Sequence, residues 1–306
     1  MKKLYVVLFL GFLVAASMAS KPLRAYVTSK ALVPSGVVTL KWSSSSFPIK
    51  WQMNPVQGAN VTGSRSQSEV IGASFQAWQS VVPISLQQGA DTPATAKANQ
   101  IDGINLITTN SAPTDLPPGV LAYTYVFFLD TGQIGEADMA FSPSYPFSTS
   151  TGSVASSVDL QSVATHEAGH FLGMDHASNV SSTMFWTTGP GFIYPRNLSA
   201  DDIAGISTLY PPASFATKGT LQGTVRTTAN VPVFGAIVVA VNAGGTPVAS
   251  TVTDPSGGYL IQGLDPGSYT VYAEPLSGRI GPVNISTVTT TNPSATVNTN
   301  FTTRYH

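Results

Sequence analysis

Residues 163–176 read VATHEAGHFLGMDH and hold three of the chain's four histidines and one of its four glutamates. His166 and His170 are four residues apart, a spacing that an α-helix places on one face, one turn apart. Gly173 stands where such a helix has to end sharply, a position that favours positive φ. His176 follows that exit. A fold for this chain therefore has to supply a helix through 166–170, a turn at 173 and a return at 176. The chain has no cysteine. Disulfides, thiolate metal ligands and thiol nucleophiles are excluded together, and histidine and carboxylate remain as the strong metal ligands.

Two imidazoles at this spacing suit a single zinc ion, each nitrogen at about 2 Å. His176, brought back by the turn, is the third candidate ligand, and three protein ligands leave a fourth position open, as in catalytic zinc sites. Glu167 is one residue along, too far round the helix to ligate comfortably. It is near enough to take a proton from a water acidified towards a pKa of roughly 7 and to hand it to a leaving amine. The competing readings are a helix whose histidines are satisfied in the core or at the surface, and a metal site without turnover.

At 306 residues there is room for two ordinary domains. Charged residues make up 9% of the chain, against roughly 25% in ordinary soluble domains. A net charge of −1 with no basic run argues against a nucleic-acid footprint and against recruitment to an acidic membrane surface. The N-terminus pairs Lys2 and Lys3 with an apolar run, Leu4 to Val14, and small residues around Ser17-Met18-Ala19. Residues 1–20 thus read as a cleavable secretory signal, too short for a membrane anchor, with a buried N-terminal helix as the bland alternative. The expected mature chain is exported and has no transmembrane segment.

Residues 21–46 form a Ser/Val/Thr-rich lead without helical periodicity, short for an independent domain. FPIKWQMN (47–54) alternates like a strand, and Val70, Ile71, Phe75 and Trp78 recur at helical spacing before Pro83. Residues 103–110 and 119–130 read as strands, and 131–142 as a glycine-bearing turn followed by another strand. Ser156 with Asp159 reads as a capping box for the histidine-bearing helix. LSADDIAGISTLYPP (198–212) is a second capped helix, with Ser199 as cap, Asp201 and Asp202 in its first turn and Pro211-Pro212 as its stop. After a linker at 213–218, short strands alternate with NAGG, DPSGG and DPGS turns over 219–306, the pattern of an all-β sandwich. The expected fold class is α+β, with a mixed-sheet domain over 47–212 followed by that sandwich.

Met184, in SSTMFW, comes eight residues after His176. With it, the histidine motif resembles that of the metzincin zinc peptidases and, within that clan, the matrixins. The likeness extends over about residues 47–211, with RNLSADDIAGISTLYP similar to the matrixin C-terminal helix. It implies a zincin-like mixed sheet with the active-site helix behind it and a cleft across it. It implies one catalytic zinc on His166, His170 and His176, Glu167 as general base and acid, and Met184 in a structural turn, not as a ligand. The strand at 120–128 would be the upper rim of the cleft, able to pair with extended peptide. Asp130, Glu136 and Asp138 are the carboxylates a structural Ca2+ would use, although no carboxylate-rich loop pattern accompanies them. Three departures stand out. No cysteine can latch the metal, 47–165 contains no histidine for a second zinc, and Phe185-Trp186 replace the usual proline after the turn methionine. Trp186 also stands where astacin- and serralysin-type relatives carry tyrosine, which favours the matrixin side.

The segment from Gly219, including Gly235-Ala236, TDPSGGY and LDPGSYTV, resembles carboxypeptidase regulatory-like, transthyretin-like sandwiches. Those residues are turn formers and strand core, so they imply a fold and a spacer or attachment role, with an unspecified surface or partner. The leading expectation is a secreted zinc endopeptidase acting on protein or peptide. An exported binding or adhesion protein with a catalytically silent zinc domain is the alternative, and a hydrolase of non-protein amides is a third.

Overall fold

The structure, a computed structural model, describes residues 4–6, 23–24, 27–276, 285, 291–292, 294–298 and 300–305. Of the expected signal segment it places only Leu4–Val6, and His306 lies outside the described residues. The described residues of Met1–Leu8, Val38–Gly173 and Thr187–Leu198 form one compact unit. Those of Phe9–Val37, Met174–Trp186 and Ser199–His306 form another.

In the first unit the principal sheet has six strands: β1 (Leu4–Val6), β2 (Ile49–Met53), β3 (Leu86–Gln88), β4 (Leu106–Thr108), β5 (Ala122–Leu129) and β6 (Ile134–Phe141). Their spatial order is β1-β5-β6-β4-β2-β3. β6 runs antiparallel to β5 and parallel to β4, with a register shift between Ile134 and Glu136. The sheet is therefore mixed, and β6, inside it, is buried on both faces at every residue but Gly135, its two carboxylates Glu136 and Asp138 included.

Two helices pack in this unit. α1 (Gln67–Gln79) begins where the Ser66 hydroxyl accepts the Glu69 N–H at 3.1 Å, and it buries Val70, Ile71, Phe75 and Trp78 as one stripe. α2 (Leu160–Phe171) carries the histidine motif and buries Leu160, Val163, Ala164, Ala168 and Phe171 on a single face. The Trp78 indole donates to the Thr165 carbonyl at 2.8 Å, and Phe75 lies edge-on to Phe171 with centroids 5.2 Å apart. Trp42 donates to the Phe171 carbonyl at 2.8 Å, satisfying an acceptor that the end of a helix leaves without an intrahelical partner.

The start of α2 differs from the sequence expectation. Asp159, not Ser156, is the N-cap, and its carboxylate accepts the Ser162 N–H at 2.7 Å. The reason is a short strand, Val158–Asp159, paired in parallel with Phe147–Ser148. It keeps the backbone extended until residue 159. Arg196 then pairs with Asp159 and donates to the Ser150 and Thr151 carbonyls at 2.8 and 2.7 Å. That ion pair holds the Arg196 guanidinium above its ordinary pKa.

The second unit is built on the strands β7 (Gly219–Thr224), β8 (Ala236–Asn242), β9 (Pro247–Val252), β10 (Gly258–Leu264) and β11 (Tyr269–Pro275). β9-β8-β11 continue into Arg304–Tyr305 as one antiparallel sheet, whereas β7-β10 form another with Leu23–Arg24. The helix α3 (Ala200–Leu209) lies against β9 and β10. Gly263 lets that approach happen: a Cβ there would stand 3.2 Å from the Ala204 Cα, and its φ is +78°. The expected linker forms a 3-10 turn over Ala213–Thr217. The fold class is α+β, as expected.

Candidate metal centre

α2 is buried along most of its surface, and His166 and His170, one turn apart on the same side, are partly exposed. Their Nε2 atoms stand 3.1 Å apart, with the rings nearly perpendicular at 83°. Two nitrogens bound at about 2.05 Å in tetrahedral geometry are about 3.3 Å apart. The pair is thus spaced for one shared ion. One ring nitrogen each from His166, His170 and His176 lies within 4.8 Å of the others. Among the described residues this is the only cluster of three or more histidine or acidic side chains gathered in that way.

The exit from α2 has the geometry the sequence implied. The Gly173 N–H bonds the His170 carbonyl at 2.9 Å, and its φ is +95°. Beyond it, Met174 makes an antiparallel bridge with Thr28, and the Asp175 N–H reaches the Val27 carbonyl at 2.7 Å. The Asp175 carboxylate accepts the His176 N–H at 2.8 Å, consistent with a local turn residue. Residues 27–29 therefore flank the return segment, a role their own sequence did not announce.

Glu167 is 5% exposed. Its Oε2 accepts from the Thr124 hydroxyl at 2.6 Å, leaving Oε1 as the other acceptor. Burial pushes the carboxyl above the usual glutamate range, while the His166 ring and the Thr124 hydroxyl pull it back. Tyr123, next to Thr124 on β5, is pushed up to about 12, chiefly by burial, with the Tyr125 and Glu167 charges adding. Thr124 escaped the sequence reading because it is 43 residues from Glu167 and carries no motif.

Met184 is fully buried. Its N–H meets the Ser182 hydroxyl at 3.0 Å and the Asp202 carboxylate at 3.1 Å, and its carbonyl accepts the Ala177 N–H at 2.8 Å. Asp202 is the clasp of this turn. It accepts from the Ser182 hydroxyl, the Thr183 N–H and the Ser199 N–H and hydroxyl. The sequence assigned Asp202 only to the positive end of α3; the structure adds the turn to its partners.

Asp130, Glu136 and Asp138 do not gather as a cation cluster. Glu136 accepts the N–H groups of Asp102 and Gly103, and Asp138 those of Asn99, Gln100 and Leu106. The Glu136 and Asp138 carboxylates thus bind the loop over 99–106. Burial nevertheless pushes the Asp138 carboxyl up to about 7.

Comparison with known proteins agrees with this organisation. The matrixin family model matches residues 41–211, and the carboxypeptidase regulatory-like domain model matches residues 220–304. Similar proteins include Metalloendoproteinase 1-MMP of Arabidopsis thaliana, 29% identical over 178 residues, covering 56% of this chain and 45% of the relative. Stromelysin-3 of Xenopus laevis is 30% identical over 172 residues, covering 56% of this chain and 32% of the relative. Matrix metalloproteinase-20 of Homo sapiens is 30% identical over 178 residues, covering 56% and 35%. The chain thus spans less than half the length of each of these relatives. The family match nonetheless covers more than half of its own residues, so the chain belongs to the matrixin family.

Proposed function

We propose that this chain is a zinc-dependent endopeptidase that hydrolyses peptide bonds in protein or peptide substrates. The observation that carries the reading is the convergence of His166, His170 and His176 in a matrixin chain that retains a buried carboxylate at Glu167. Three imidazoles, uncharged when they ligate, are a donor set that fits zinc. When bound, zinc supplies Lewis acidity, acidifying a water and polarising the scissile carbonyl.

Glu167 does the proton work. With Oε2 engaged by Thr124, Oε1 is the oxygen available to accept the proton of the attacking water and to return it to the leaving amine. Thr124 fixes the carboxylate plane. With residues 1–20 removed, the edge of β5 that Leu4–Val6 covers at Phe127–Leu129 would supply extended backbone against which a substrate strand can pair.

Residues 1–20 are proposed to direct export and to be removed. Among the described residues no helix is long and apolar enough to cross a membrane. The proposed division is a lead over 21–46, the peptidase domain over 47–212, a linker over 213–218 and the sandwich over 219–306. The test is cleavage of casein or gelatin by the purified chain, with metal analysis, before and after a zinc chelator. Chelator-sensitive cleavage with one zinc per chain supports the reading. Bound zinc with no cleavage across a broad peptide panel would favour a catalytically silent, exported binding protein.

A further inference from the structure

The departure from the family pattern at Phe185, unexplained by the sequence, has a structural partner. Phe185 follows Met184 directly, and its ring is buried in the sandwich core with Phe234, Ile237, Val239, Val252 and Leu276. Val27, whose carbonyl takes the Asp175 N–H, is buried in the same cluster. Phe185 and Ala177 form a parallel bridge, so the residue after His176 is tied to the one embedded in the sandwich.

Polar links reach the same loop. The hydroxyls of Ser178 and Ser250, the latter on β9, are 3.0 Å apart and buried. The Ser250 N–H donates to the Asp201 carboxylate at 2.5 Å. Asp202, the next residue of α3, grips the Met184 turn. The loop thus has the sandwich on one side and α3, itself held by the sandwich, on another.

We infer that the C-terminal β-sandwich is the structural support of the third metal ligand: its core and β9 hold residues 174–186 so that His176 stays in its binding position. The sandwich is then a part of the metal centre's scaffold, not a detachable spacer, and Phe185, Ser178 and Ser250 are positioning residues. A ligand carried on a loop has no helical hydrogen bonds to fix it, so its placement depends on packing around the loop. The inference rests on the zinc-site reading above.

The experiment uses the full chain. Zn2+ affinity is measured by competition with a chromophoric chelator, and amide hydrogen exchange over 174–186 is followed in the metal-free protein. Phe185→Ala is expected to weaken zinc by about tenfold or more and to speed exchange at 174–186, with exchange across 160–171 unchanged. Phe185→Leu is expected to recover most of the affinity. Ser250→Ala, which keeps the N–H to Asp201, is expected to cause a smaller loss in the same direction. It decides the matter if Phe185→Ala fails to fold. Val231→Ser, at an exposed sandwich position, should change neither quantity. Wild-type zinc affinity and unaltered exchange in folded Phe185→Ala and in Ser250→Ala would overturn the proposal. A wild-type chain that takes up no zinc would instead overturn the zinc reading, while the exchange measurement would still decide whether the sandwich holds the loop.

Discussion

The helix bearing His166 and His170 and the loop bearing His176 and Met184 are held by different means. The helix places its two rings through a spacing of four residues and hydrogen bonds within its own turns. From outside, Trp78 bonds the Thr165 carbonyl, Trp42 that of Phe171, Ser74 that of Gln161 and Thr124 that of Glu167. The loop bonds to itself where the Ala177 N–H meets the Met184 carbonyl and the Phe185 N–H the Ser182 carbonyl. It is held by residues far away in the chain: Val27 before it, Asp202 after it, and Ser250 and the Phe234 cluster further still. In the proposed metal centre a ligand pair set by local periodicity thus meets a third whose loop is held in large part by tertiary contacts.

The largest effect belongs to the helix. Glu167→Ala should retain zinc and lose turnover by about 10²- to 10⁴-fold, whereas His170→Ala should lose both, as read by casein hydrolysis alongside metal content. Near-normal kcat in Glu167→Ala would refute the proton role.

Next comes the loop's clasp. Asp202→Ala leaves the Thr183 and Met184 N–H groups and the Ser199 cap without their carboxylate. It should destabilise the chain by about 3 kcal/mol, measured by urea unfolding. A loss under about 1 kcal/mol would show that the turn is held by packing alone.

A dependence of stability on pH comes next in size. Burial, with the Asp202 charge adding, pushes the Asp201 carboxyl from 3.8 to about 8, opposed by the Ser250 hydrogen bonds. A raised carboxyl pKa means the folded state keeps a proton that the unfolded chain releases. The stabilisation is fully present below pH 3.8 and is lost as pH rises through about 8. The metal-free chain should lose stability over that window at up to about 1.4 kcal/mol per pH unit for this one proton. Asp201→Asn should flatten the slope. Asp138 in β6, raised to about 7, contributes with the same sign, so Asp138→Asn separates the sheet's share from that of α3.

The smallest effect returns to the helix end. Trp42→Phe keeps the ring against Phe171 and removes only the indole N–H, and should cost about 1 kcal/mol in thermal or urea unfolding. A cost several times larger would mean that the end of α2 is as dependent on remote support as the loop.

Much of the architecture could be read before any coordinates. The apolar stripe of α1, the strand alternation at 49–53, the Ser199 cap and the turn at Gly173 all follow from local rules of period and backbone conformation. The cap at Ser156 was misread because a strand of two residues, invisible as a pattern, moved the helix start to Leu160. Thr124, Arg196 and the clasping role of Asp202 had no sequence signal, since each acts on a partner 18 to 43 residues away. Phe185 was legible only as an anomaly.

The amino-acid order alone settled that His166 and His170 share a helical face, that Glu167 sits between them in the chain, and that the backbone turns at a glycine. Those outcomes depend on torsion angles and hydrogen bonds within a few residues. Whether His176 joins the pair, which hydroxyl orients Glu167, and what covers Phe185 were decided only when remote segments came together. Burial and long-range contact free energies act on surfaces that no short stretch of sequence contains.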